Sequence, residues 1–159
     1  METGILFTEL QQSDYSQFLV ILFALLPANA FLIFQVIRHF NLKNTIILGI
    51  MIFATILCVI FSFTRLEIEV SEKEIKCRLY PFYFSNQIIS KEEIVGIEKV
   101  IYESKNWGGW GVRTNSRGDK AYTMYGNKGV QVTLKNGKII LLGTQKPNQL
   151  YKAISIGTD

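Results

Sequence analysis

Residues 18–37 read FLVILFALLPANAFLIFQVI, and residues 45–63 read TIILGIMIFATILCVIFSF. These two strings decide the architecture. Fourteen residues of the first and twelve of the second are Leu, Ile, Val or Phe. A twenty-residue helix is about 30 Å long, which matches the hydrocarbon core of a bilayer. At roughly −0.3 to −0.6 kcal/mol per large apolar residue, the first string gains about −4 to −8 kcal/mol on insertion, before polar costs. No Asp, Glu, Lys or Arg occurs from residue 15 to 37 or from residue 44 to 64. A core helix of a soluble protein keeps a charged face, and neither string has one. A cleaved signal peptide begins with a basic segment and has a short apolar core. Here the leader is acidic and the apolar run is long. The reading is a transmembrane hairpin over 18–63, with helices at 18–37 and 45–63.

Residues 38–44 join the two helices, enough for a tight antiparallel turn, so both ends of the hairpin emerge on one side. Pro27 and Asn29 fall near the middle of the first helix. Asn29 is placed either to pack locally or to bond across to the second helix. His39, the chain's one histidine, is expected as an interfacial anchor beside Arg38. Lys and Arg near helix ends set sidedness. Arg38 and Lys43 lie in the turn, whereas Arg65, Lys73, Lys76 and Arg78 follow the second helix. Four against two favours a cytoplasmic C-terminal domain.

Charge divides the rest of the chain. Charged residues make up 19% of the sequence, against roughly 25% in ordinary soluble domains. Residues 1–17 hold Glu2, Glu9 and Asp14 with no Lys or Arg, and are read as a separate acidic N-terminal segment. From residue 65 onward 15 basic and 10 acidic residues leave a net +5. Cys58 lies in the second apolar string and Cys77 in the polar part. They are not expected to pair, and one lone cysteine makes no disulfide scaffold.

From residue 66 the period changes to two. Leu66, Ile68 and Val70 alternate with Glu67, Glu69 and Ser71, and Ile75, Cys77 and Leu79 with Lys76, Arg78 and Tyr80. Each run is a strand with one apolar face, turning at Ser71-Glu72, and Pro81 ends the second. Residues 94–103 form a β-rich run without clean alternation, which suggests a bulge. Residues 120–125 read as a strand. Val130, Val132 and Leu134 alternate towards Asn136-Gly137, a strong hairpin signal, and 138–142 return. Pro147 suits a first helical position. Leu150, Ala153 and Ile154 line one face of the helix, and Gly157 ends it. Residues 66–159 are thus expected to form six or seven antiparallel strands and a terminal helix that closes the core.

This order of elements resembles a pleckstrin-homology-like domain of the bacterial, membrane-anchored kind. The string Gly108-Gly-Trp-Gly-Val-Arg113, then Ala121-Tyr122, Gly126, Gly129-Val130 and Gly143-Thr-Gln-Lys-Pro147, resembles a family of small uncharacterised bacterial membrane proteins. Their acidic N-terminal segment is similar to Phe7-Thr-Glu9-x-Gln11 here. The resemblance implies two spans in a bacterial cytoplasmic membrane, an antiparallel pleckstrin-homology-like β-barrel capped by a C-terminal helix, and no particular activity.

Catalytic chemistry finds little to stand on. Gly109-x-Gly111 continues to Thr114 where a dinucleotide loop needs glycine, and no helix follows to hold an anion. The pairs Glu67/Glu69, Glu72/Glu74 and Glu92/Glu93 fall on solvent-facing strand positions or in turns. A single histidine and two separated cysteines build no metal site. No catalytic residue, metal or cofactor is expected. The feature that remains is basic and aromatic: Lys105, Arg113, Arg117, Lys120 and Lys128, interleaved with Trp107, Trp110, Tyr122 and Tyr125. Lys105, Trp107, Trp110, Arg113, Arg117, Lys120 and Lys128 are read as a surface for anionic lipid or a partner, at about 1 kcal/mol per basic residue near a membrane. The expected function is a non-catalytic, membrane-anchored interaction or scaffold module, binding a partner protein or itself. The alternative is an anionic-lipid-sensing domain. Nucleic acid could answer the same charge, but a tethered domain meets lipid first, and no nucleic-acid partner is expected.

Overall fold

A computed structural model describes residues 4–12, 15–82 and 86–157. The chain divides into two compact units, residues 13–64 and residues 1–12 with 65–159.

The first unit is the helical hairpin. Helix α1 spans Tyr15–Arg38 and runs on through Pro27, and α2 spans Leu42–Ser62. Both are long and apolar enough to cross a membrane. Asn41 caps α2, its side chain accepting from the Lys43 amide at 2.9 Å. Asn29 is 8% exposed. Its Nδ2 donates to Leu25 O and to Thr55 Oγ1, both at 2.9 Å, and Thr55 donates to Met51 O. The Asn29 side chain therefore bonds its own helix and its neighbour at once. The outward faces carry bulky apolar groups, with Phe23 78% exposed and Phe31, Ile50 and Phe53 also exposed.

The second unit is α+β, with nine strands among the described residues. Strand β1, Ile5–Gln12, precedes the hairpin. After it come β2 Arg65–Ser71, β3 Glu74–Tyr80, β4 Gln87–Ser90, β5 Ile94–Ile101, β6 Gly111–Thr114, β7 Lys120–Thr123, β8 Lys128–Leu134, β9 Ile139–Gly143 and helix α3 Pro147–Ser155. Strands β1 to β4 form one antiparallel sheet in chain order. The other sheet has the order β5-β8-β9-β7-β6. Phe7, Leu66, Ile68, Val70, Ile75, Cys77 and Ile89 from the first sheet meet Tyr122, Val130, Val132, Ile140 and Leu142 from the second. Leu150, Ala153 and Ile154 of α3 complete this core.

Besides the strand count, eight after the hairpin among the described residues where six or seven are expected, three expectations change. Residues 5–12 of the supposed separate N-terminal segment are a strand of the β-rich unit, and residues from Tyr15 on belong to α1. Residues 1–3 and 13–14 of that segment lie outside the described residues. The physical reason is that β1 alternates strictly, burying Phe7, Glu9 and Gln11 while Thr8, Leu10 and Gln12 face out. Two of its inward groups are polar, which disguised the pattern. Secondly, the strands are not all antiparallel, because β7 and β9 run parallel, Lys120 opposite Ile140 and Tyr122 opposite Leu142. Asp119 fixes this start by accepting the Ile139 amide at 2.9 Å on its Oδ1. Thirdly, among the described residues neither sheet closes on itself, so the arrangement is two open sheets and not a closed barrel.

Other local readings hold. The β2–β3 register pairs Ile68 with Cys77 and Glu67 with Arg78. Strand β5 has a register shift between Ile94 and Gly96. Gly137 takes φ +78° in the β8–β9 turn. Pro147 opens α3, and Leu150, Ala153 and Ile154 are buried.

Candidate interaction surface

The residues read as a binding cluster sit on strands β6 to β8 and on the segment that leads into β6. That segment, 102–110, folds across the outer face of the second sheet. Tyr102 and Trp107 pack there with Val100, Ala121 and Leu141, a small apolar cluster separate from the main core. The fit depends on a missing side chain: a Cβ on Gly143 would lie 2.8 Å from the Tyr102 hydroxyl. Burial raises the Tyr102 phenol above its ordinary value, with Thr123 opposing.

Beyond Trp107 the chain turns sharply. Gly108, Gly109 and Gly111 have φ of +80°, +101° and +98°, conformations that side chains resist. Gly108 caps the short helical turn Ser104–Trp107, its amide donating to Lys105 O at 3.2 Å. Arg113 braces the loop from β6. Its Nε donates to Gly108 O at 3.0 Å and its Nη1 to Val112 O at 3.3 Å. The loop therefore stands on Trp107, is braced by Arg113, and presents Trp110 at 57% exposure. Lys105 nearby pairs with Glu103 at 3.0 Å, and both are largely exposed. The two tryptophans thus have different roles: Trp107 packs and Trp110 projects.

Lys120 belongs elsewhere. Successive strand residues face opposite ways. Val112 and Thr114 of β6, with Lys120 and Tyr122 of β7, line a cleft of about 160 Å³ towards the first sheet, with Cys77, Leu79, Asn86 and Gln87 opposite. The Lys120 ammonium donates to Gln87 Oε1 at 2.9 Å, tying the two sheets together. Burial pushes the Cys77 thiol up to about 12. Arg117 lies exposed in the β6–β7 turn, where Asn115 Oδ1 accepts its amide and that of Asp119. The Asn115 side chain and the Ile139 amide both hold the Asp119 carboxyl below its ordinary value. Lys128 opens β8, exposed and opposite Ile101. The seven residues therefore do not form one patch. Lys105, Trp107, Trp110 and Arg113 gather around the glycine loop, while Lys120 lines the inter-sheet cleft and Arg117 and Lys128 stand apart on a turn and a strand start.

Sequence reasoning missed the burial of three charged residues, Glu9, Lys91 and Asp119. Glu9 is 5% exposed. One carboxylate oxygen accepts the Thr144 hydroxyl, and the other accepts the Gln145 amide at 2.8 Å. Two residues on, Gln11 Nε2 donates to Gly143 O at 2.8 Å. The strings Phe7-Thr-Glu9-x-Gln11 and Gly143-Thr-Gln-Lys-Pro147, more than 130 residues apart, are thus one hydrogen-bonded unit. Their shared polarity is the only trace of this in the sequence. Lys91, buried between β4 and β5, donates to Ala153 O at 2.7 Å and Ile156 O at 2.6 Å. It satisfies carbonyls left open at the end of α3, where the helix dipole favours a cation. Burial lowers its pKa below the lysine norm, opposed by Glu72. Nothing in the sequence marks it, because a lysine before two glutamates reads as solvated.

Three of the paired glutamates, Glu67, Glu69 and Glu74, hold ion pairs. Glu67 receives Arg78 at 2.5 Å and Arg65 at 3.2 Å, and Lys76 bridges Glu69 and Glu74. Comparison of the chain with family models, with curated proteins and with solved structures finds no match.

Proposed function

We propose that this chain is an integral membrane protein whose β-rich unit serves as a non-catalytic interaction module held at the bilayer by two covalent links. One observation carries the reading. The hairpin is inserted between neighbouring strands of one sheet, since Gln12 at the end of β1 is the register partner of Arg65 at the start of β2. Two residues separate β1 from α1, and two separate α2 from β2. The pairing requires both ends of the hairpin to lie on one side, which two spans provide and a single span would not. A domain tied at two points loses orientational freedom, which favours recognition of a partner in the same membrane or of a second copy. The excess of Lys and Arg after α2 supports a cytoplasmic side for the domain.

The pleckstrin-homology-like reading draws support from the two meanders β1-β2-β3-β4 and β5-β8-β9, followed by a terminal helix that packs on their shared core. On this reading β6–β7 is an inserted hairpin and the membrane helices occupy a strand–strand connection. It accords with the resemblance of the sequence to a family of bacterial cytoplasmic-membrane proteins.

The test is crosslinking of the full chain in its own membrane, with the mass of the purified protein measured in lipid nanodiscs. A discrete adduct or a stable oligomer is expected. A monomer that yields no adduct would end the interaction reading. A second reading, anionic-lipid sensing, is favoured by the basic and aromatic glycine loop.

A further inference from the structure

We infer that the loop around Trp110 is a membrane-contacting element that seats its indole in the headgroup layer of the bilayer. This rests on the proposed membrane anchoring and gives the domain a further, non-covalent point of attachment.

A tryptophan offers a large apolar surface and one N–H, and it is normally covered unless one end is apolar and the other wet. Trp110 is 57% exposed, although Trp107, three residues earlier, is packed onto Ala121 and Leu141. The loop is built to hold it there. Three glycines in left-handed conformations shape it, Trp107 anchors its base, and the Arg113 guanidinium braces Gly108 O. A floppy loop would let the ring fold back onto the sheet.

The chemistry of the surroundings selects the occupant. Lys105 lies in the turn before the loop and Arg113 braces the loop itself, while Glu103 pairs with Lys105. An apolar ring with basic neighbours complements a layer of anionic headgroups over hydrocarbon, and tryptophan concentrates in that layer. The same chain supplies two helices long and apolar enough to cross a bilayer. Its links to the domain are two residues each. The chain thus carries its own route to a bilayer, whereas a soluble partner would have to be recruited.

The chain's two tryptophans make the test direct. The full-length protein is reconstituted in phosphatidylcholine–phosphatidylglycerol vesicles whose acyl chains are brominated near the headgroups, with Trp110→Phe as the comparison. Alkaline extraction first checks integration, which tests the anchoring by itself. The unaltered chain is expected to lose a large part of its emission to bromine. Trp110→Phe, whose remaining Trp107 is half-buried against the second sheet, should lose less. A Trp107→Phe chain, if its far-UV spectrum is unchanged, should show a blue-shifted and strongly quenched Trp110. Equal quenching of the unaltered and Trp110→Phe chains, with integration intact, would overturn the inference and leave the anchoring standing. So would a photoreactive residue at 110 that crosslinks to protein and not to lipid.

Discussion

In the hairpin, Phe23, Phe31, Ile50 and Phe53 face outward and Asn29 is buried, whereas in the sheets Leu66, Ile68, Val132 and Leu142 are buried and Glu67, Glu69, Lys76 and Arg78 stand outside as ion pairs. The two units of one chain are inside-out with respect to each other. The difference teaches which solvent each is made for. Water rewards covering apolar area at roughly 25 cal/mol per Å², and the sheets cover theirs. A hydrocarbon solvent offers no such reward and penalises unpaired polar groups instead. The hairpin accordingly pairs Asn29 with Leu25 and Thr55 and leaves its phenylalanines exposed.

Substitutions that exchange the two patterns should separate the units most clearly. Ile68→Ala removes a fully buried side chain from the main core and should cost the domain about 2–5 kcal/mol, read by denaturant unfolding. Phe23→Ala should leave that transition where it is. Phe23→Arg attacks the other unit: an arginine at a helix centre costs roughly 3 kcal/mol of insertion free energy, and one at 23, off the centre, should cost somewhat less. A glycosylation-mapped insertion assay should show the loss, and full insertion of the variant would argue that the face does not meet lipid.

Within the domain the comparison sharpens between buried and exposed acids. Glu9→Ala strands the Thr144 hydroxyl and the Gln145 amide and should destabilise by about 2–3 kcal/mol. Glu67→Ala breaks only partly exposed ion pairs and should cost under about 1 kcal/mol. Equal effects would mean that β1 contributes little to the fold. The smallest effect at neutral pH concerns Cys77. Burial raises its thiol from 9.0 to about 12. A raised folded pKa contributes stability that is present below the unfolded value and is lost as pH climbs from about 9 to about 12. In a Cys58→Ser chain the thiol should resist a disulfide reagent at pH 8 until the protein unfolds, and prompt labelling would contradict its burial.

Much of this was legible from residue pattern. The two apolar strings, the alternation of residues 66–80, the Asn136-Gly137 turn and the Pro147 helix all announce themselves, because each meets one solvent on one face. What stayed hidden depends on distant partners. Strand β1 puts Glu9 and Gln11 inward, and those positions look like a solvated leader until Gly143, Thr144 and Gln145 arrive to meet them. The four-residue β6 lies among glycines that read as a bend. The parallel β7–β9 pair starts beside a carboxylate–amide bond that joins Asp119 to Ile139, twenty residues on. At the candidate site the sequence brought the basic and aromatic residues together on one list. Strand alternation then sent Arg113 to the glycine loop and Lys120 to the inter-sheet cleft.

The central claim is that the hairpin interrupts a domain to which β1 belongs. Gln12 and Arg65 are register partners, so a short Asn-Gly turn could replace residues 13–64 and close β1 onto β2 directly. The decisive measurement is cooperative unfolding of that fused chain beside a fragment that begins at residue 65. The fused chain should be soluble and unfold in one sharp transition, while the fragment, lacking Phe7, Glu9 and Gln11, should be markedly less stable or fail to fold. Equal stability of the two would contradict the account and return residues 5–12 to the status of a leader.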